Sequence, residues 1–182
     1  MTTVQGRNSP RIRNRCRVGW GHPARRALTL ASLLLAAPSG AADLPPNFAA
    51  LFGATTVAFR PAGGSWDGAQ HDLALTAGIG RYVSRTLALE VDLGPTWVRR
   101  EYASFSVVPG VVWAFSPHAY LAARFPITVD PDSALYAAPG FGLSHTFATR
   151  LTPTLEANVV ARVGHGRTDL AVTVTLGLLY SF

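Results

Sequence analysis

Beyond residue 43 the sequence is a succession of ribbons in which every second residue is large and apolar. In "DLAVTVTLGLLYSF", which ends at Phe182, Leu170, Val172, Val174, Leu176, Leu178, Tyr180 and Phe182 share one parity. Asp169, Ala171, Thr173, Thr175, Gly177 and Ser181 share the other, and Leu179 is its one large apolar intruder. Successive side chains of a strand point to opposite faces, so the segment has one apolar face and one small, polar face. No stretch after Ala42 carries a convincing helical period. The alternation predicts eight strands, at 48–60, 70–83, 86–98, 104–115, 119–128, 134–147, 153–163 and 169–182. Each is near or above the ~9–11 residues that a tilted strand needs to cross a bilayer.

In the third to seventh ribbons the odd positions are apolar (Leu87, Leu89, Val91, Leu93; Val107, Val111, Trp113; Leu121, Phe125; Phe141, Leu143; Leu155, Val159). The even positions are small or polar, and they include Glu90, Asp92, Arg124, Glu156 and Arg162. The eighth ribbon reverses parity, and the first is the least regular. Short turns at 84–86, 116–118 and 148–153 alternate with generally longer connections at 60–70, 99–104, 128–134 and 164–169. The longer connections carry the Gly, Asp and Pro of loops. An even strand count, both ends on one side and alternating turn lengths predict an all-β fold, an eight-stranded antiparallel up-and-down transmembrane β-barrel. The rival is a lipocalin-like soluble barrel, which would hold its large apolar residues inside and its charges outside. Here the charges share a face with the glycines, which suits the narrow, side-chain-filled interior of an eight-stranded barrel.

The formal charge of +6 would fit a nucleic-acid binder, but it is unevenly distributed. Residues 1–42 hold seven arginines and no acid, whereas the rest holds nine arginines and all ten acids. "ALTLASLLLAA" follows the basic stretch and is too short for a membrane-spanning helix. With the small residues of "PSGAADLPP" after it, the segment reads as a cleavable signal peptide over 1–42, with the mature chain beginning at Ala42 or Asp43. The expected domain is then 43–182. It lacks cysteine, because Cys16 falls in the basic leader, so no disulfide framework or Cys metal site is available to it.

The leader, the eight ribbons, "AAPGFGLSHTF" at 137–147 and the terminal "LGLLYSF" resemble the small outer-membrane β-barrel proteins of the OmpA/OmpX-like type. The resemblance implies location in a Gram-negative outer membrane, with outer-membrane lipid as surroundings. It also implies that the insertion machinery reads the last strand through Tyr180 and Phe182. It says little of function, because the fold hosts structural proteins, channels, adhesins and lipid enzymes.

Three groups of residues are candidates for a role. Glu90, Asp92, Arg124, Glu156 and Arg162 predict a luminal charge network, either a salt-bridged plug or a lining for a small polar solute. Pro95, Pro109, Pro126 and Pro139 fall in four consecutive ribbons, where they predict a bent rim or, in the sharper reading, a lateral opening for a lipid tail. Trp97, Tyr102, Trp113, Phe115, Tyr180 and Phe182 lie at ribbon ends and predict aromatic girdles. Arg81, near a turn, is placed to snorkel to the headgroups. Ser144 and His145 are adjacent, so they point to opposite faces and do not form a nucleophile–base pair. His71, His118, His145 and His165 are scattered, and no metal site is expected. No phosphate loop or basic patch supports a nucleotide or nucleic-acid role. The expectation is an envelope protein with a structural or surface-interaction role, no catalytic site and no cofactor. The alternatives are a narrow channel for small or apolar solutes and a lipid-binding or lipid-modifying barrel.

Overall fold

The structure, a computed structural model, describes residues 44–61, 63–69, 72–164 and 169–182. The expected signal peptide and its cleavage point, His71 and His165 lie outside these residues. The elements are β1 (Phe48–Arg60), β2 (Asp72–Tyr82), β3 (Leu87–Val98), β4 (Glu101–Ser116), β5 (Ala119–Arg124), β6 (Ile127–Asp130), β7 (Ala134–Ser144), β8 (Leu151–Arg162) and β9 (Leu170–Ser181). Every neighbouring pair is antiparallel. β3 pairs with β4, and β1 pairs with β9 from Phe48↔Ser181 to Arg60↔Leu170, so the sheet closes on itself. β5 and β6 are two halves of one stave, since both pair with β4 and with β7. The result is an all-β, closed, eight-stranded antiparallel barrel. Its short turns lie with the start of β1 and the end of β9 at one end (the turn end), and the other connections lie at the opposite end (the loop end).

The expected fifth ribbon is broken where Pro126 removes a donor from the ladder. Phe125 N still donates to Pro109 O at 2.9 Å and Tyr136 N to Pro126 O at 2.8 Å, so the stave stays in the wall. Pro95 and Pro139 sit at similar weak points, whereas Pro109 pairs with Val91 within an unbroken ladder. The β2–β3 register skips from Ala74↔Thr96 to Ala77↔Leu93 beside Pro95. The β7–β8 register skips from Ala137↔Ala161 to Gly140↔Asn158 beside Pro139. The sixth ribbon ends earlier than expected, at Ser144.

The expected loop at 99–104 is absent. β3 runs straight into β4 through a two-residue turn, closed by the Val98↔Glu101 pair. Arg99 and Arg100 occupy its centre with φ of 51° and 71°. Two positive φ values define the turn whose twist matches a hairpin, and Asn-Gly is its usual filling. A Cβ crowds the following carbonyl oxygen in the left-handed conformation at a cost of roughly 1–2 kcal/mol per residue, and arginine carries that cost where glycine would not. Nothing in an Arg-Arg pair announces such a turn.

The even face points inward along the staves except beyond the β1 bulge between Thr56 and Ala58, where Phe59 turns in, and in the last stave, where it points outward. Inside, however, it is not uniformly small. Phe48, Phe52, Tyr82 and Tyr120 point into the barrel, contrary to the expectation of a small, polar inner face. Phe48, Ala50, Phe52 and Ala88 form a buried cluster with Tyr82, Val112 and Leu179 packed against it. Leu179, the intruder in the last ribbon, therefore has its partner inside the turn-end half of the lumen.

Candidate functional site

Three large side chains fit inside so narrow a barrel because each faces a glycine across the ladder. Phe48 lies opposite Gly80, Phe52 opposite Gly177 and Tyr120 opposite Gly142. A Cβ at any of these glycines would run into the facing ring. The charged residues are seated likewise. Asp92 lies opposite Gly78, Glu90 opposite Gly110 and Glu156 opposite Gly142. Arg124 shares Gly110 from the other side.

These residues meet at one level. Arg124 Nε lies 2.5 Å from Glu90 Oε1 and 4.0 Å from Asp92 Oδ2, and Arg124 Nη1 donates to Glu156 Oε1. The guanidinium also sits over the Phe52 ring, 5.3 Å from its centroid, a cation–π contact. Glu90, Asp92 and Glu156 are each 2% exposed. Buried carboxylates are tolerated because one planar donor group serves several of them at once. Three carboxylates nevertheless face one guanidinium, and Asp92 Oδ1 has no hydrogen-bond partner among the described residues.

This cluster divides the lumen. A cavity of about 530 Å³ opens toward the turn end, and its walls include Phe48, Tyr82, Val112, Tyr120 and Leu179. A second, of about 400 Å³, lies toward the loop end and is lined largely by hydroxyls and small residues, with Asn158 and Pro126. Phe52 and Arg124 line both. They form the partition.

Arg162 stands apart from the other candidate charges. It is exposed, lies opposite Tyr136 near the loop-end rim and forms no ion pair with a described residue. Glu156 reaches Arg124 although the two stand at different counts above their turns, because tilted strands set equal counts at different heights. Phe52 and Tyr120 escaped the sequence reading. The only signal for them is a large residue on the glycine-bearing face, which gains meaning once the register is known.

Pro95, Pro109 and Pro139 have outward parity, and Pro126 lines the loop-side cavity. Ser144 and His145 diverge, Ser144 lining the turn-side cavity. His118 and His145 are not scattered as expected. They lie on adjacent turns with ring centroids 5.7 Å apart and planes 29° apart. The stacked rings lack further ligands, for no group of three or more metal-binding side chains occurs among the described residues.

Outside, the barrel is apolar. Leu176 is 64% exposed and Leu51 59%, and Leu73, Leu121, Leu155 and Val159 stand out from other staves. At the turn end Trp113, Phe115 and Phe141 form a chain of rings with centroids 5.8 and 6.3 Å apart. Exposed apolar area on this scale is unfavourable in water, whereas a closed ladder leaves no unpaired strand edge in lipid. This is a transmembrane β-barrel.

No protein-family model matches the chain, and no curated protein matches it either. Among solved structures, a de novo designed transmembrane β-barrel is similar at 19% identity and a TM-score of 0.42, over 75% of this chain and 97% of that one. The solution structure of the designed barrel TMB2.3 is similar at 17% identity and a TM-score of 0.43, over 78% and 98%. CymD, a monoaromatic hydrocarbon channel, matches at 12% identity and a TM-score of 0.32, over 62% of this chain and 36% of its own length.

Proposed function

We propose that this chain is an integral outer-membrane protein of the small, OmpA/OmpX-like kind, with a sealed lumen and a structural or surface-interaction role in the envelope. The observation that carries the reading is Arg124. It sits where the two cavities meet, held by Glu90 and Glu156 and covered by Phe52. A guanidinium with buried charged partners on both sides is expensive to displace, because each partner would be left uncompensated. The outward aromatic rings near the turn end support a bilayer position, and β9 with Tyr180 and Phe182 is the proposed assembly signal.

A narrow channel is the second reading. It is favoured by the thinness of the partition, since Phe52 and Arg124 each line both cavities. Swelling of liposomes that contain the folded protein, in solutions of small neutral solutes of graded size, separates the two. A sealed barrel gives no swelling above protein-free liposomes. Size-dependent swelling by the wild type would replace the structural reading with the channel.

A further inference from the structure

We propose that the tip of the β3–β4 hairpin and the outer wall beneath it bind a phosphate-bearing lipid of the leaflet at the loop end. The inference rests on the transmembrane placement of the barrel and is independent of whether the lumen conducts. Arg99 and Arg100 hold both central positions of the tight turn in left-handed conformations, where asparagine and glycine would sit without strain. Both side chains are exposed, and neither guanidinium forms an ion pair with a described residue. Local strain held at a tip, with two cations that form no ion pair with a described residue, points to a binding position.

The surroundings fit a lipid better than a free anion. Arg99 and Arg100 border a hollow of about 500 Å³ whose other walls are Asp72, Leu73 and Trp97. Leu73 and Trp97 are direct cross-strand partners on the outward face, and Leu75 and Leu93 continue that face toward the barrel's waist. An acyl chain can lie along this wall while the headgroup meets the arginines. Guanidinium forks match phosphate oxygens, and a tryptophan ring suits the boundary between headgroup and hydrocarbon. The acids nearby do not block the site. Asp72 accepts from Thr56 N at 2.7 Å, Thr56 Oγ1 at 2.6 Å and Thr55 Oγ1 at 3.2 Å, so its carboxylate is engaged toward β1. Glu101 follows the turn and is exposed.

The test is equilibrium binding to the folded protein in a neutral detergent. Dioleoyl phosphatidic acid is the probe, dioleoyl phosphatidylcholine the zwitterionic control and inorganic phosphate the free anion. The wild type should bind phosphatidic acid at least about tenfold more tightly than phosphatidylcholine, through charge-assisted hydrogen bonds. The double variant Arg99→Asn, Arg100→Gly should lose that preference while its urea midpoint rises, because the turn is relieved of strain. Arg99→Lys with Arg100→Lys should retain part of the preference. Leu73→Ala with Trp97→Ala should weaken phosphatidic acid and leave any binding of inorganic phosphate unchanged. Undiminished phosphatidic acid binding by the Asn-Gly variant would overturn the proposal. So would equal effects of the Leu73 and Trp97 changes on lipid and free phosphate, which would make the site one for the anion alone.

Discussion

Phe52 and Gly177 face each other across the seam between the first and last strands, and the phenyl ring fills the space that a side chain at 177 would take. Half of the lumen's partition therefore depends on a missing side chain on the neighbouring strand. The same relation joins Tyr120 to Gly142 and Phe48 to Gly80. Gly177→Ala should force the ring off its seat at a cost of roughly 1–3 kcal/mol, typical of overpacking. Urea unfolding measures the loss. A companion Phe52→Leu substitution, which shortens the intruding group, should recover part of it, and independent additive losses would show that the pair does not act together.

The charge cluster gives predictions of opposite sign at neighbouring residues. Arg124→Ala removes the one cation from among Glu90, Asp92 and Glu156 and should destabilise by roughly 3–5 kcal/mol, as for a broken buried pair. Adding Glu90→Gln and Glu156→Gln to it should be milder, because two of the three charges left behind, those in closest contact with Arg124, are removed too. Asp92 stands 4.0 Å from Arg124 Nε, and its Oδ1 has no hydrogen-bond partner among the described residues. Asp92→Asn should therefore leave stability unchanged or raise it. Equilibrium unfolding in one detergent ranks all of these variants, and an Asp92→Asn loss as large as that of Arg124→Ala would show that all three acids are needed.

Assembly should depend on the seam. Phe182 N donates to Asn47 O at 2.9 Å, and Ser181 pairs with Phe48, so the last residues close the barrel onto its first strand. Deletion of Phe182 should reduce heat-modifiable barrel in the outer membrane while export continues. Fractionation reads this directly, and wild-type amounts of folded protein from the deletion would remove the proposed role of the terminal aromatic.

Pro126 should mark a soft place in the wall. Its neighbour Phe125 keeps a bond to Pro109 O, but the ladder between Arg124 and Ile127 is interrupted. Amide exchange around β6 should be faster than in β8 or β9. Pro126→Ala restores a donor on that stave and should slow it.

The fold was legible because period two reports which face a residue takes, and the bilayer inverts which face is apolar. Leu155, Glu156 and Ala157 state the rule in three residues, with Glu156 buried and its neighbours exposed. Heights were less legible. The tilt of the staves brought Glu156 to Arg124 and left Arg162 at the rim, and residue counting carries no tilt. The inward aromatics were hidden because Phe48 and Phe52 lie on the least regular ribbon, and each is explained only by a glycine on another strand. The Arg99–Arg100 turn was hidden for the opposite reason. Its conformation contradicts the local preference of its residues, so tertiary closure of the hairpin overrides propensity there.

Phe52 and Arg124 seal an otherwise continuous lumen. Planar-bilayer conductance of the wild type, Phe52→Ala and the Phe52→Ala, Arg124→Ala double variant tests it most directly. The wild type should be silent, Phe52→Ala should leak weakly, and the double variant should give steady ion current as the two cavities join. Steady current through the wild type, or silence from a double variant that remains folded, would contradict it.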